Sequence, residues 1–558
     1  MEIREEIKKS IEDALKKIKV KKYPEILLER PKEREHGDFS TNIAFSLTKE
    51  LKKPPQEIAK RLVKRLEVCP KIIEKVEEAK GFINFFLTEE LLFENLIQIL
   101  KREKNYGRSE IGKGERIQIE MVSVNPTGPL HVGHGRGAAF ADTLANILEV
   151  MGYQVEREYY INDIGTQMEN LGKSLRVRYL ELLGEKVQFP EHGYQGEYLI
   201  EMARRLKDRE GDKHRKEKIE FFIQYASSDI IEGIRKDLKD FGIRIDTWKR
   251  ESDFHKEGKV KEVLKNLKKK GYLYEREGAL WFRSSQFGDE KDRVIKKKDG
   301  SLTYLASDIA YHEDKFKRNF DHLIDIWGAD HHGYVERIRA AVSALGYSKE
   351  TLDIILYQLV KLSRSGKPVA MSTRRGEFVT LREVMDEIGK DTSRFFFCMR
   401  ASNSQLDFDL ELAKKESPEN PVYYVEYAHA RISSIFKKAK EKKTPKDPDK
   451  SGPTGQVKRK KIQEIDLKLL HTPEEKSILR LLLLFPDVVA SCARSYQVHS
   501  IPNYLMELAS EFHSFYNKHR VLSEEENLIQ ARLALVEGVR IVLYNGLKLL
   551  GIEAPEKM

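Results

Sequence analysis

Cysteine is scarce: Cys69, Cys398 and Cys492 are the only three in 558 residues. Their number is odd and none forms a Cys-x-x-Cys pair. A disulfide framework and a thiolate zinc site are therefore excluded, which fits a reducing cytoplasm. Long apolar runs are also missing. No window approaches the roughly 18 apolar residues of a membrane span. The charged, helix-patterned start MEIREEIKKSIEDALKKI lacks the hydrophobic stretch of a signal peptide. A soluble cytoplasmic protein with no membrane partner is the expectation. No internal repeat and no sustained heptad register occurs. The Walker phosphate loop and the Gly-x-Gly-x-x-Gly dinucleotide fingerprint are absent as well.

Charge, by contrast, is abundant. Charged residues make up 34% of the chain, and 100 Lys and Arg outnumber 90 Asp and Glu for a net charge of +10. A basic excess favours a polyanionic partner such as nucleic acid, although solubility alone also accounts for it. Hydrophobic residues reach 40%, with 25 Phe and 23 Tyr, enough for several cores. At about 100–200 residues per domain the length implies three or four domains.

Residues 1–18 carry Ile3, Ile7, Ile11, Leu15 and Ile18 at helical spacing. Two helices broken at Pro54-Pro55 follow, then a short strand from Gly81 to Leu87, completing a small α/β module. From Arg116 to about Met399 strand-like and helix-like runs alternate. RIQIEMVSV, YQVEREYYIND and HLIDIW read as strands. A Pro/Gly turn and the helix GRGAAFADTLANILEVMG follow the first, and a long helical region runs from Ile164 to about Leu238. VERIRAAVSALG is another helix; DIILYQLVKLSR and KPVAMST read as a strand and its flanking loop. This alternation predicts a doubly wound parallel sheet. Beyond about Leu412 only helices remain, interrupted by the Pro/Gly/Lys-rich stretch KTPKDPDKSGPTGQVKRKK.

The most informative stretch is Asn125-Pro-Thr-Gly-Pro-Leu-His-Val-Gly-His-Gly-Arg-Gly137, set between a strand and a helix. Ligands of open α/β sheets bind at the carboxyl ends of strands, and a helix N-terminus there offers free N–H groups to an anion. Glycines admit close approach of a phosphate, and His131 and His134 can donate to its oxygens. On residue type alone, two histidines three apart are equally consistent with a structural or metal-binding pair.

This sequence resembles the class I aminoacyl-tRNA synthetases. His131-Val-Gly-His134 is a one-residue variant of their His-Ile-Gly-His signature, and Met371-Ser-Thr-Arg-Arg-Gly376 partly matches their mobile Lys-Met-Ser-Lys-Ser loop. Within that class it is similar to the arginyl-tRNA synthetase family over essentially the whole chain. The stretches that carry this include the 125–136 motif, His36-Gly-Asp-Phe39, Tyr160-Ile-Asn-Asp-Ile-Gly165 and Gly193-Tyr-Gln-Gly-Glu-Tyr198. Tyr304-Leu-Ala-Ser-Asp-Ile-Ala-Tyr311, Gly328-Ala-Asp-His-His-Gly333 and the final Leu549–Met558 stretch do so as well.

The resemblance implies a Rossmann-like α/β catalytic domain over 111–400. A small N-terminal tRNA-contacting domain spans 1–110 and an α-helical anticodon-binding domain spans 401–558. It implies ATP-driven ligation of arginine to its tRNA, with Mg²⁺ as companion ion, no protein-held metal site, and a monomer. It places His131, His134 and Arg374 in catalysis. Gly133, Gly135, Gly328, Met371 and Ser372 would join the histidines around ATP. Glu120, Asn125, Tyr304, Asp308 and Asp330 would hold arginine. A guanidinium wants a carboxylate, and on a helix Tyr304 and Asp308 share one face; without the resemblance an ordinary half-buried helix face explains the pair equally well. The family's loop lysines are missing: Ala370 and Thr373 stand in their places, so Arg374 is the expected cation. The span between the two signatures leaves room for a modest insertion but no editing domain, and a guanidinium site rejects competitors through unpaired buried charge. In the helical part, Tyr427, Arg431, Tyr516 and Arg520 are the candidate base-stacking residues, with core packing as the alternative for each aromatic.

Two rivals are a cysteinyl or glutamyl enzyme of the same class and a small-molecule nucleotidyltransferase. A third is a non-catalytic RNA-binding descendant. The missing cysteines, the acidic Asp308, the long basic helical extension and the intact histidines weigh against each in turn.

Overall fold

A computed structural model describes residues 3–31, 33–369, 378–441, 464–523 and 525–558. Met371, Ser372 and Arg374 lie outside the described residues, as does the whole of the 443–461 stretch.

The first module contains α1 (Ile3–Lys17), β1 (Phe39–Thr41), α2 (Ile43–Ser46), α3 (Thr48–Leu51), α4 (Pro55–Val63), β2 (Ile73–Ala79), β3 (Phe82–Leu87) and α5 (Glu89–Arg102). The stripe of Ile3, Ile7, Ile11 and Leu15 on α1 is buried as its spacing requires. Pro55 opens α4 at its first turn, where its missing N–H costs nothing. β2, IEKVEEA, is an antiparallel edge strand of a three-stranded sheet of order β1-β3-β2. Its charged residues hide it from a hydrophobicity reading.

The central part runs through β4 (Arg116–Glu120), α6 (Val132–Val150), β5 (Gln154–Ile161), α7 (Thr166–Leu182), α8 (Glu197–Glu210), α9 (Ile219–Asp240), β6 (Thr247–Arg250), α10 (Glu251–Lys256) and α11 (Lys259–Lys269). It continues through β7 (Leu273–Arg276), β8 (Ala279–Phe282), β9 (Arg293–Lys296), α12 (Tyr304–Lys317), β10 (His322–Gly328), α13 (Val335–Leu345), β11 (Leu352–Tyr357), β12 (Val360–Arg364), β13 (Lys367–Pro368), α14 (Leu381–Ile388), α15 (Lys390–Cys398), β14 (Leu406–Asp409) and α16 (Leu410–Ala413). Five strands form one sheet of order β11-β10-β4-β5-β6, and every pairing in it is parallel. The chain fills β4, β5 and β6 in one direction, then returns to lay β10 and β11 on the other side of β4. That reversal places a crevice at the carboxyl ends of β4 and β10.

The long helical region read from Ile164 to Leu238 is three helices, α7 to α9, separated by glycine-containing turns at Gly184 and Gly211. DIILYQLVKLSR holds two strands, β11 and β12, which belong to different sheets. The hairpin strands β7, β8 and β9 form a further three-stranded sheet that feeds α12: the Thr303 hydroxyl donates to the carbonyls of Val294 and Ile295 at 2.9 and 3.2 Å.

The last part is α17 (Pro421–Glu441), α18 (Pro473–Ser495), α19 (Ser500–Lys518) and α20 (Glu526–Leu549). Thr472 and Glu475 form a capping box at the start of α18, and Pro473 occupies its first turn. The first module docks on this bundle through Arg480–Asp38 and Arg30–Glu507 ion pairs, each 2.6 Å. The Tyr106 hydroxyl also donates to the Leu482 carbonyl at 2.9 Å. No helix among the described residues is long and apolar enough to cross a membrane.

The central part and the bundle meet at Arg394, which is fully buried. It donates to Leu550 O at 2.7 Å, Phe241 O at 3.2 Å and Asp142 Oδ2 at 2.5 Å, tying α15 to the ends of α20 and α9 and to the middle of α6. Truncating one partner of a buried ion pair costs about 3–5 kcal/mol. Arg394→Met is therefore expected to bring the urea transition, followed by circular dichroism, to clearly lower denaturant; an unchanged midpoint would remove Arg394 from this role.

Candidate active site

The carboxyl ends of β4 and β10 open into a cleft of about 720 Å³ lined by Glu120, Asn125, His131, His134, Tyr304, Asp308, Gly328 and Asp330 among others. Residues from distant parts of the chain therefore share one space.

His131 is the N-cap of α6, and His134 is its third helical residue. His131 Nδ1 accepts from the amides of Gly133 at 3.1 Å and His134 at 3.3 Å, and His134 Nδ1 accepts from the amide of His131 at 3.2 Å. The two imidazoles thus do what Ser and Glu do in a capping box. Their rings stack with centroids 3.3 Å apart. With both Nδ1 atoms accepting, the proton of each neutral ring sits on Nε2, which is left to donate. Burial pushes His131 down to about 4 and His134 well below the ordinary imidazole range. Both rings are neutral donors at pH 7.

The glycines of the turn have packing reasons of their own. A Cβ on Gly133 would lie 3.0 Å from the His131 ring; on Gly135 it would strike Leu381 at 2.6 Å, and on Gly137 the Tyr357 ring at 2.7 Å. Gly135 is absent from the cleft lining, so its bare Cα serves helix packing. Gly328 does line the cleft, and a Cβ there would meet Asp330 Oδ1 at 2.5 Å.

The other end of the cleft is acidic. Tyr304 and Asp308 lie one turn apart on α12 and both face the cleft; the Tyr304 ring is half exposed. Tyr334 donates to Asp308 Oδ2 at 2.5 Å. Burial raises the Asp308 carboxyl above the usual range despite this donor. Glu251, at the start of α10, lies behind: it is buried, and burial pushes it up to about 7, with Asp308 and Asp163 adding to the effect. Below them, Lys315 is fully buried between Glu120 Oε2 and Asp325 Oδ1, each at 2.6 Å, and His312 Nε2 bonds Asp325 Oδ2 at 2.9 Å. Burial opposes charge on Asp325, yet Lys315 and His312 hold it down at about 2. Burial raises Glu120, which shares the same ammonium. One lysine thus balances two carboxylates at the floor. Among the described residues no lysine or arginine pairs directly with Asp308 or Glu251; His255 lies 3.8 Å from Glu251, and burial lowers its imidazole below the ordinary range.

Asn125 donates to Gln167 at 2.7 Å, which aims its amide along the cleft wall. Tyr198 donates to Thr127 O at 2.5 Å, so the Gly193–Tyr198 motif folds over the 125–129 turn. Asp330 is exposed, and its charge acts on His131 rather than on the acidic end. Among the described residues no group of three or more His, Cys, Asp and Glu side chains could hold a metal ion. Glu251, Tyr334 and Lys315 escaped sequence reasoning. Tyr334 directly follows the Gly328–Gly333 stretch and Lys315 lies on the same helix as Asp308, but the partners that give them their roles are 26 and 195 residues away, and Glu251 opens a short polar helix with no motif of its own.

In the bundle, Arg431 lies between two rings, 4.8 Å from Tyr427 and 4.6 Å from Tyr516. Tyr423 stacks beside Tyr427 at 5.9 Å. Arg520 is exposed and stands outside this stack; its carbonyl accepts from Arg532 at 2.9 Å.

Comparison with known proteins agrees in all three parts. Residues 5–87 match the arginyl-tRNA synthetase N-terminal domain, 95–403 the class I (R) tRNA synthetase catalytic domain, and 425–558 the DALR anticodon binding domain. The arginine–tRNA ligase of Citrifermentans bemidjiense is 50% identical over 541 residues, covering 96% of this chain and 95% of that one. The Geobacillus thermodenitrificans ligase is 45% identical over 567 residues, covering 100% and 99%. The arginyl-tRNA synthetase of Thermus thermophilus superposes with a TM-score of 0.77 at 25% identity over the full length of both chains. With the histidine-capped turn at the switch point of a parallel sheet and full-length similarity on this scale, the chain belongs to the arginyl-tRNA synthetase family of class I aminoacyl-tRNA synthetases.

Proposed function

We propose that this chain activates arginine with ATP and transfers it to the terminal adenosine of an arginine-accepting tRNA. The observation that carries the proposal is one cleft with two neutral Nε2–H donors at one end and, at the other, the carboxyl groups of Asp308 and Glu251, which pair with no lysine or arginine among the described residues. The guanidinium sits on Asp308, with Tyr304 beside it and Glu251 behind. Glu120 and Asn125 hold the α-ammonium. The arginine carboxylate oxygen is then directed at the α-phosphorus of ATP near the histidine turn. As the new O–P bond forms, the bond to the bridging oxygen breaks and pyrophosphate leaves; His131 and His134 donate to the phosphate oxygens as charge moves onto them. In the second step a ribose hydroxyl of the tRNA attacks the adenylate carbonyl and AMP departs. No covalent enzyme intermediate is needed, and positioning does most of the work. Gly133, Gly328, Met371 and Ser372 border the nucleotide, and Arg374 grips the pyrophosphate end.

Magnesium fits as a companion of the nucleotide, held by the phosphates with help from Asp330, because such ions commonly take one or two carboxylates plus substrate phosphates. It would shield the β- and γ-phosphate charge. The protein is read as a monomer. The segments 1–110 and 401–558 act as tRNA-contacting domains around the catalytic segment 111–400, in the cytoplasm.

Pyrophosphate exchange with each amino acid, with and without tRNA, tests the reading. Exchange with arginine alone is expected, and equal exchange with another amino acid refutes it. Asp308→Ala removes one partner of a desolvated charge pair, worth about 2–5 kcal/mol. The KM for arginine should then rise at least about 30-fold while that for ATP stays within about twofold.

Arginine binding should also depend on pH with a definite sign. Asp308 and Glu251 carry raised pKa values, so lowering the pH protonates them and removes negative charge, while the guanidinium keeps its own. The kcat/KM for arginine should therefore fall as the pH drops through about 7. Glu251→Gln should move that inflection to lower pH; an unmoved inflection would separate Glu251 from the pocket.

The Tyr427–Arg431–Tyr516 sandwich offers stacked faces to unpaired bases, each stacked base being worth about 1–3 kcal/mol. Tyr427→Ala is expected to weaken tRNA binding about 5- to 100-fold, read by filter binding. The KM for arginine should be untouched. Unchanged tRNA affinity would assign these rings to the core.

A further inference from the structure

Beyond Glu120, the last residue of β4, the backbone turns sharply. Met121 N still donates to Glu158 O at 2.9 Å and continues the ladder to β5. Val122 then has a φ of +67° and Ser123 a φ of +44°. Glycine occupies this left-handed region freely, but a β-branched residue there is an outlier. Across Val122 the Ser123 amide donates back to Met121 O at 2.9 Å, closing a three-residue turn of the strained hand. Such conformations persist only where the surrounding structure over-determines them.

Here two bonds from β5 hold the turn. The Tyr159 hydroxyl donates to Val124 O at 2.8 Å, and Ser123 Oγ accepts from Tyr160 N at 3.0 Å. Tyr159 is 1% exposed, and its ring stacks on Trp248 of β6 with centroids 4.6 Å apart. The Arg235 guanidinium lies 4.0 Å from the Trp248 ring. The phenol is therefore a fixed post. The turn it holds has a use for the cleft. An extended chain would carry Asn125 roughly 16 Å beyond Glu120. Folding back at Val122 instead leaves both residues lining one cleft.

We infer that Tyr159 is a positioning residue for arginine: its hydroxyl holds the strained Met121–Ser123 turn and so sets Asn125 relative to Glu120. The inference rests on the proposed role of Glu120 and Asn125 at the α-ammonium. Without the hydroxyl the strain relaxes and Asn125 shifts. The histidine turn is fastened separately, Val132 N donating to Val379 O at 3.1 Å and Leu381 N to Leu130 O at 2.7 Å, so it stays in place.

The test is steady-state aminoacylation by the full-length protein at saturating tRNA, with urea unfolding alongside. Tyr159→Phe keeps the ring and its stacking. The KM for arginine should rise about 5- to 50-fold while that for ATP stays within about twofold. Val122→Gly relieves the strain, so the post is no longer needed. In that background Tyr159→Phe should change the arginine KM by less than about threefold. The same factor in both backgrounds would mark Tyr159 as plain packing and overturns the inference, as does an unchanged arginine KM in Tyr159→Phe. The strain itself is read from Val122→Gly against Val122→Ala, which needs no Tyr159 variant to fold. The glycine variant should unfold at the higher urea concentration, reversing the usual order of the two residues. The usual order overturns the inference. An unchanged arginine KM in Asp308→Ala instead overturns the pocket reading on which it rests.

Discussion

Two imidazole nitrogens spent on capping a helix set the terms for everything around them. Because Nδ1 of His131 and of His134 accept backbone amides of α6, each ring has only Nε2–H left to offer. Because the rings are desolvated, that proton stays put at neutral pH and the donors are uncharged. Neutral donors attract phosphate oxygens less than ammonium groups do, but they demand no counter-ion in the apoprotein. The turn can therefore sit stacked and preformed, with no carboxylate competing for the place of a substrate.

The opposite end of the cleft follows the complementary logic. Lys315 balances Glu120 and Asp325 from beneath, so the floor is closed and hydrogen-bonded. The carboxyl groups that remain, Asp308 and Glu251, are both raised by burial, and the charge of Asp308 adds to the effect on Glu251. On the proposed reading, an arriving guanidinium would supply the missing charge, and an uncharged side chain of the same size would leave two carboxyl groups buried without it. Discrimination on that reading comes from the desolvation of the acids.

Much of this architecture was legible in the residues. The alternation from Arg116 to Met399 announced the parallel sheet, and the 125–137 stretch fell at the turn where such sheets bind anions. What escaped was local structure whose signal is not hydrophobic. β2 and the β7–β9 sheet are short and charged, so period-2 alternation barely rises above background. The breaks between α7, α8 and α9 rest on glycine turns inside a region of uniform helical composition. Gly135 reads as a residue that makes room for a nucleotide, and the structure adds that a Cβ there would meet Leu381 at 2.6 Å. Glu251, Tyr334 and Lys315 reach the site only through tertiary folding, and nothing in their immediate neighbours marks them.

The pairing of Lys315 with Glu120 spans 195 residues of chain. At a synthesis rate of about 5–20 residues per second, Glu120 leaves the ribosome roughly 10–40 s before its ammonium partner exists. Through that interval β4 and α6 can form while β10, laid against β4 only on the chain's return, is still missing. Completion of the acidic floor therefore cannot precede the synthesis of α12 and β10, and the backbone bonds from the histidine turn to Val379 and Leu381 come later still.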